Sequence, residues 1–243
     1  MQKFKNAMKP VLFAILVSPI CYLIATFMAF DIQSYFCNSR KHLIKYTEYI
    51  YFNDKRAKNK WKEEQFQIVE TALKKEINPK IMKRFKKDGF KVILFAEKNL
   101  SNDHIYITTG QTNVMVKKVQ LAYDNDLSEL RNATIHEIGH YVDFKCNYSL
   151  HLNHTINKVF YRENKHELES KYSWYSLSDM NEFVAEDFYF MVDNNPDTKE
   201  TNKIIKQYIH NNFNYKSYGK YGYGINKIKF AFYDCFISPN KTY

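Results

Sequence analysis

Between residues 136 and 140 the chain reads His-Glu-Ile-Gly-His, and these five residues restrict its fold more than any others. Two histidines four positions apart share one face of an α-helix, so both imidazoles can bind a single ion only if this segment is helical. Glu137, roughly 100° around the helix from His136, can reach a water on that ion but not easily the ion itself. Such a carboxylate can act as a base on metal-activated water, and zinc is the metal that suits these ligands. A polar helix face with two satisfied histidines would carry the same letters, so the remaining residues have to discriminate.

A catalytic zinc needs a third protein ligand and an open position. In the elongated form of this motif, Gly and His follow the second histidine by three and six positions. Here those positions hold Asp143 and Cys146. A Cys146 thiolate could bind zinc, but without the glycine turn the helix carries it away. The other solution is a carboxylate on a second helix packed against the first. The segment Asn181-Glu182-Phe183-Val184-Ala185-Glu186 offers one. Glu182 and Glu186 lie four apart and share a face, so Glu182 can bind zinc while Glu186 accepts a hydrogen bond from a ligand imidazole and fixes its tautomer. Ser178 or Asp179 can cap this helix, and Asp179 with Glu182 has capping-box spacing. Phe183, Val184 and Phe188 make much of the helix apolar, which favours buried carboxylates over surface ones.

HEIGHYVD at 136–143, Tyr175, and NEFVAEDF at 181–188 together resemble the gluzincin metallopeptidases that include the catalytic domain of anthrax lethal factor and the clostridial Pro-Pro endopeptidases. The motifs cover 136–188, and the order of elements extends the resemblance to about 60–213. It implies a zincin-like α+β fold with N-terminal helices, a small twisted sheet, an active-site helix, and a C-terminal helical part carrying the third ligand. It further implies one Zn2+ per chain on His136, His140 and Glu182, with Glu186 and Asp143 as supporting carboxylates. Glu137 would be the general base, and Tyr175 would donate its hydroxyl to the transition-state oxyanion. The activity implied is that of a zinc endopeptidase acting on a protein or peptide, and the chain is expected to be a monomer. A catalytically inactive binding module that keeps the metal is the alternative.

Elsewhere the pattern suggests an ordered chain. Hydrophobic residues make up 45% and aromatics 17%, with only 6 Gly and 5 Pro, which excludes a disordered or low-complexity chain. Residues 38–76 read as two helices, the first holding Leu43, Ile44, Ile50 and Phe52. The second has an apolar stripe of Trp61, Ile68, Val69, Ala72 and Leu73. Asn78-Pro79 starts a short helix that Gly89 ends, with a basic face over Lys80–Lys87. Phe90–Ala96 reads as a buried strand. His104–Thr108 and Val114–Tyr123 read as two more strands, joined by a polar turn at Gly110-Gln111-Thr112-Asn113. This hairpin is a candidate edge for docking an extended peptide, or an ordinary sheet element. Helices follow at about 128–145, 152–164, 179–193 and 197–212, the last two separated at Pro196. A Tyr- and Gly-rich stretch at 215–223 precedes Ile228–Phe236, which alternates like a strand.

One segment departs from the mean hydropathy of −0.54, a value that excludes a multi-span membrane protein. No charge interrupts the chain between Lys9 and Asp31, and the twenty residues Val11–Phe30 would span about 30 Å as a helix. Lys3, Lys5 and Lys9 precede them. No small-x-small cleavage site follows, so the expectation is a signal anchor over 1–37, with a secreted, cleaved form as the alternative. The body, 38–243 with an extension at 214–243, is then extracytoplasmic. Cys37, Cys146 and Cys235 permit one disulfide and require none. Lys and Arg exceed Asp and Glu by 36 − 26 = 10, but the basic residues are spread along the chain and no nucleic-acid motif accompanies them.

Overall fold

Alternating apolar residues at Ile50, Phe52, Val92, Leu94, Val119 and Leu121, all fully buried, build the sheet on which the helices lie. In the computed structural model, which describes residues 43–100, 108–114, 116–146 and 149–213, the fold is α+β. Strands β1 (Ile44–Lys45), β2 (Ile50–Phe52), β3 (Lys91–Leu94), β4 (Gly110–Asn113) and β5 (Lys118–Leu121) form one mixed sheet, ordered β1-β2-β3-β5-β4. The three central strands run parallel, while β1 and β4 are antiparallel edges. Register aligns Ile50 with Val92 and Val119, and Phe52 with Leu94 and Leu121, so two apolar rows cross the centre.

Two expectations fail here. The first helix expected within 38–76 is instead the β1–β2 hairpin, closed by Tyr46 N and Thr47 N donating to Ile50 O at 3.0 and 3.1 Å. Ile50-Tyr51-Phe52 finds a parallel partner in β3, and that pairing outweighs the local pattern. The turn expected at Gly110–Asn113 is itself the edge strand β4. The real turn follows β4, where Lys117 adopts φ 58°, and the next strand begins only at Lys118. An edge strand with one side toward solvent carries polar residues, so its composition resembles that of a turn. Of the expected strand 104–108, all but Thr108 lies outside the described residues, as do Val11–Phe30, Cys37, Cys235 and Ile228–Phe236.

The crossover from β2 to β3 contains α1 (Lys55–Lys60), α2 (Glu63–Thr71), a π-helical continuation (Ala72–Glu76) and α3 (Pro79–Lys87). Asn78 caps α3, accepting from Lys80 N at 3.0 Å, and Gly89 ends it at φ 85°. The later helices match their expected ranges: α4 (Leu127–Lys145), α5 (His154–Lys165), α6 (Met180–Val192) and α7 (Lys199–Phe213). Among the described residues no helix is long and apolar enough to cross a membrane.

Helix α4 runs through the centre, with Ile135, Ile138, Tyr141, Val142 and Phe144 all buried. Its Tyr141 ring stacks edge-on against Phe85 and Phe90, at centroid distances of 5.0 and 4.7 Å. Several charged groups at this depth are paired. Lys145 Nζ lies 2.8 Å from Asp88 Oδ2, which also accepts from the Tyr141 hydroxyl at 3.1 Å, and Arg84 Nε is 3.0 Å from Asp88 Oδ1. Burial lowers the Lys145 pKa, opposed by the hydrogen bond and charge of Asp88. Removing Asp88 leaves two cations in a dry site. Asp88→Ala is therefore expected to lower the unfolding free energy by about 3 kcal/mol in chemical denaturation. An unchanged value would show that the cluster is solvated.

Candidate metal centre

Both helices of the site begin at an aspartate cap. Asp126 Oδ1 accepts from Ser128 N and Glu129 N at 2.8 and 3.2 Å, starting α4 ten residues before His136. Asp179 Oδ1 accepts from Asn181 N and Glu182 N at 2.7 and 3.1 Å, starting α6. The Glu182 carboxylate does not return to the cap. It turns toward α4.

What brings it there is the absence of bulk where the helices cross. A Cβ built on Gly139 would lie 2.8 Å from both the Cα and the carbonyl oxygen of Ala185, so the two backbones touch. His136 and His140 flank Gly139, while Glu182 and Glu186 flank Ala185. Glu182 Oε2 then lies 3.1 Å from His136 Nε2 and 3.4 Å from His140 Nε2. Glu186 Oε2 lies 3.0 Å from Nδ1 of His136. Around a tetrahedral zinc with bonds of 2.0–2.1 Å, neighbouring ligand atoms are about 3.3 Å apart, so this donor set fits the ion. Glu137 also groups with the two imidazoles, one ligand atom of each lying within 4.8 Å of the others.

The electrostatics suit a cation. Burial works against charging His136, yet its hydrogen bonds to Glu182 and Glu186 prevail and raise its pKa to about 10. His140 is raised too, by Glu182 against the opposing effect of burial. Burial alone would raise the Glu182 carboxyl, but the two imidazoles hold it far below the usual carboxylate range.

Glu137 stands beside this group with 5% of its surface exposed, and burial raises its pKa. Its Oε2 has no hydrogen-bond partner among the described residues. Strand β4 presses on it from the sheet edge. Thr112 Oγ1 donates to the Glu137 carbonyl at 2.9 Å, and a Cβ on Gly110 would come within 2.6 Å of Glu137 Cγ and Oε1. Tyr175, half-exposed, also reaches the site. Burial and then the charges of Glu182 and Glu137 raise its pKa.

Asp143 does not join the group. Its Oδ2 lies 2.6 Å from His151 Nε2, both residues being buried, and its Oδ1 has no hydrogen-bond partner. One helical turn past His140, it faces the loop before α5 rather than a ligand imidazole. Cys146 ends α4 as a buried free thiol, and burial pushes its pKa up, the reverse of what a thiolate ligand needs. Sequence reasoning missed Gly110, Thr112 and the crossing role of Gly139 with Ala185. For the last pair the signal was present, as a small residue inside each motif; for Gly110 there was none.

No protein-family model matches the chain, and no curated protein sequence matches it.

Gly139→Ala should normally stabilise a helix interior by about 1 kcal/mol. Here the added methyl meets the backbone of α6, so the expected outcome is lower stability and zinc affinity at least tenfold weaker in a chelator competition. A stabilised variant with unchanged affinity would show that the helices do not cross at this point.

Proposed function

We propose that this chain is a zinc-dependent endopeptidase of the gluzincin kind, with a zincin-like fold. The observation that carries this reading is the placement of Glu182 Oε2 against both Nε2 atoms while a buried, half-partnered Glu137 stands alongside. His136, His140 and Glu182 are the ligands, one zinc per chain. When bound, zinc supplies the Lewis acidity that activates a water and polarises a substrate carbonyl. Glu186 fixes His136 with its proton on Nδ1, which leaves Nε2 for the metal. Glu137 accepts the proton of the attacking water, and its raised pKa helps it pass that proton to the leaving amine. Tyr175 has a raised pKa, keeps its hydroxyl proton near neutrality, and donates it as a hydrogen bond to the developing oxyanion.

Strand β4 is the last strand on its side of the sheet among the described residues, which supports a protein or peptide substrate, since an extended segment can add there as a further strand. Gly110 lets that edge lie directly against Glu137. The uncharged run Val11–Phe30 supports attachment to a membrane, with the catalytic body on the extracytoplasmic side.

Two outcomes are expected. The full chain should cut members of a peptide library, and a chelator should stop it. Glu137→Ala should keep its zinc and lose activity by about 100-fold or more; normal hydrolysis by that variant would refute the assignment. The second concerns pH. With a pKa of about 10, metal-free His136 carries at pH 7 a proton that the metal must displace. Zinc affinity should therefore rise between pH 7 and 10, by about tenfold per unit for each proton displaced. A pH-independent affinity across that window would rule out His136 as a ligand.

A further inference from the structure

We infer that Asp187, acting through Tyr172, is the positioning residue that holds Tyr175 over the metal centre; this rests on the reading of Tyr175 given above. Tyr172 and Tyr175 belong to the segment 170–178 that precedes α6. Their environments are opposite. Tyr172 is 2% exposed, whereas Trp174 and Tyr175 are 58% and 50% exposed. An exposed ring has little packing to hold its hydroxyl in place, so the constraint has to come from neighbouring residues.

Tyr172 supplies it. Its ring packs on α6 against Phe183 and Phe190, at centroid distances of 4.6 and 5.3 Å. Its hydroxyl donates to Asp187 Oδ1 at 2.5 Å. Asp187 is wholly buried, its Oδ2 has no hydrogen-bond partner among the described residues, and burial pushes its carboxyl up to about 7. Burying a carboxyl group costs stability unless its bonds compensate. Apolar residues at both 172 and 187 would fill the same space at no such cost. What the polar pair adds is direction, because apolar rings can slide along a helix while a short bond to one carboxylate oxygen cannot.

The intervening residues transmit that position. Ser173 Oγ accepts from Ser176 N at 3.1 Å and lies 2.8 Å from Ser176 Oγ, and Leu177 N donates to Ser173 O at 3.1 Å. Tyr175 thus sits on a tight turn whose first residue follows the tether directly. Asp187 and Glu182 belong to the same helix, so one rigid element carries both the ligand and the anchor of the segment that bears Tyr175.

The test uses the full chain with Tyr172→Phe, which keeps the ring and removes the bond. Asp187→Asn, which keeps an acceptor oxygen, is the conservative partner. The chain has two tryptophans, and Trp61 is only 4% exposed, so mobile tryptophan emission reports on Trp174, next to Tyr175. In Tyr172→Phe the fast component of Trp174 anisotropy decay should grow, and in Asp187→Asn it should stay close to wild type. For a peptide substrate, kcat in Tyr172→Phe should fall about 10- to 100-fold, with KM and zinc content unchanged. In a Tyr175→Phe background the same substitution should cost nothing further. Unchanged anisotropy and kcat, multiplicative losses, or zinc loss alongside the kcat defect would each overturn the inference. If the wild-type chain cuts no peptide, the proposed function fails while the anisotropy comparison still decides whether the tether exists.

Discussion

The contact between the backbones of α4 and α6 at Gly139 and Ala185 is the constraint on which the rest of the site depends. A methyl group at 139 would collide with the α6 main chain, and the side chains on either side of the crossing are the ones that meet. His136 and Glu182 could not approach to 3.1 Å if the helices were spaced by ordinary side chains, which hold axes about 8–10 Å apart. A pair of small residues thereby turns two separate helical stripes into one four-residue cage.

That cage concentrates charge at the centre of an apolar body, and the molecule handles its other buried charges in the same way. Lys145 and Arg84 converge on Asp88, and Asp143 meets His151. The pairing of Lys145 with Asp88 joins elements far apart in the chain, so these polar groups act as fixed points among surfaces that would otherwise pack with little directional preference. Glu137 is less completely paired. It is buried, one of its oxygens has no partner, and the sheet edge presses against it. A carboxylate kept in that condition is costly to the fold and useful to chemistry.

The centre was legible in the sequence because its periodicity is local. Histidines at 136 and 140, and glutamates at 182 and 186, declare a helix and a face without knowledge of anything distant. The same locality explains the four C-terminal helices, whose ranges were read correctly. Elements defined by their partners were not legible. Strands β1 and β2, two and three residues long, exist because β3 offers Ile50-Tyr51-Phe52 a ladder, and no window of sequence contains both. Strand β4 was mistaken for a turn because an edge strand is polar. Asp143 matched a motif position, yet His151, eight residues later, claims its carboxylate. Tyr172 and Asp187, fifteen apart, gave no signal that they would meet.

Zinc K-edge X-ray absorption on the purified full chain tests the central claim most directly. The account predicts one zinc per chain with only nitrogen and oxygen neighbours at about 2.0–2.1 Å, two of them imidazoles. Sub-stoichiometric zinc, or a sulfur neighbour near 2.3 Å, would contradict it, the latter by bringing Cys146 into a centre from which its burial separates it.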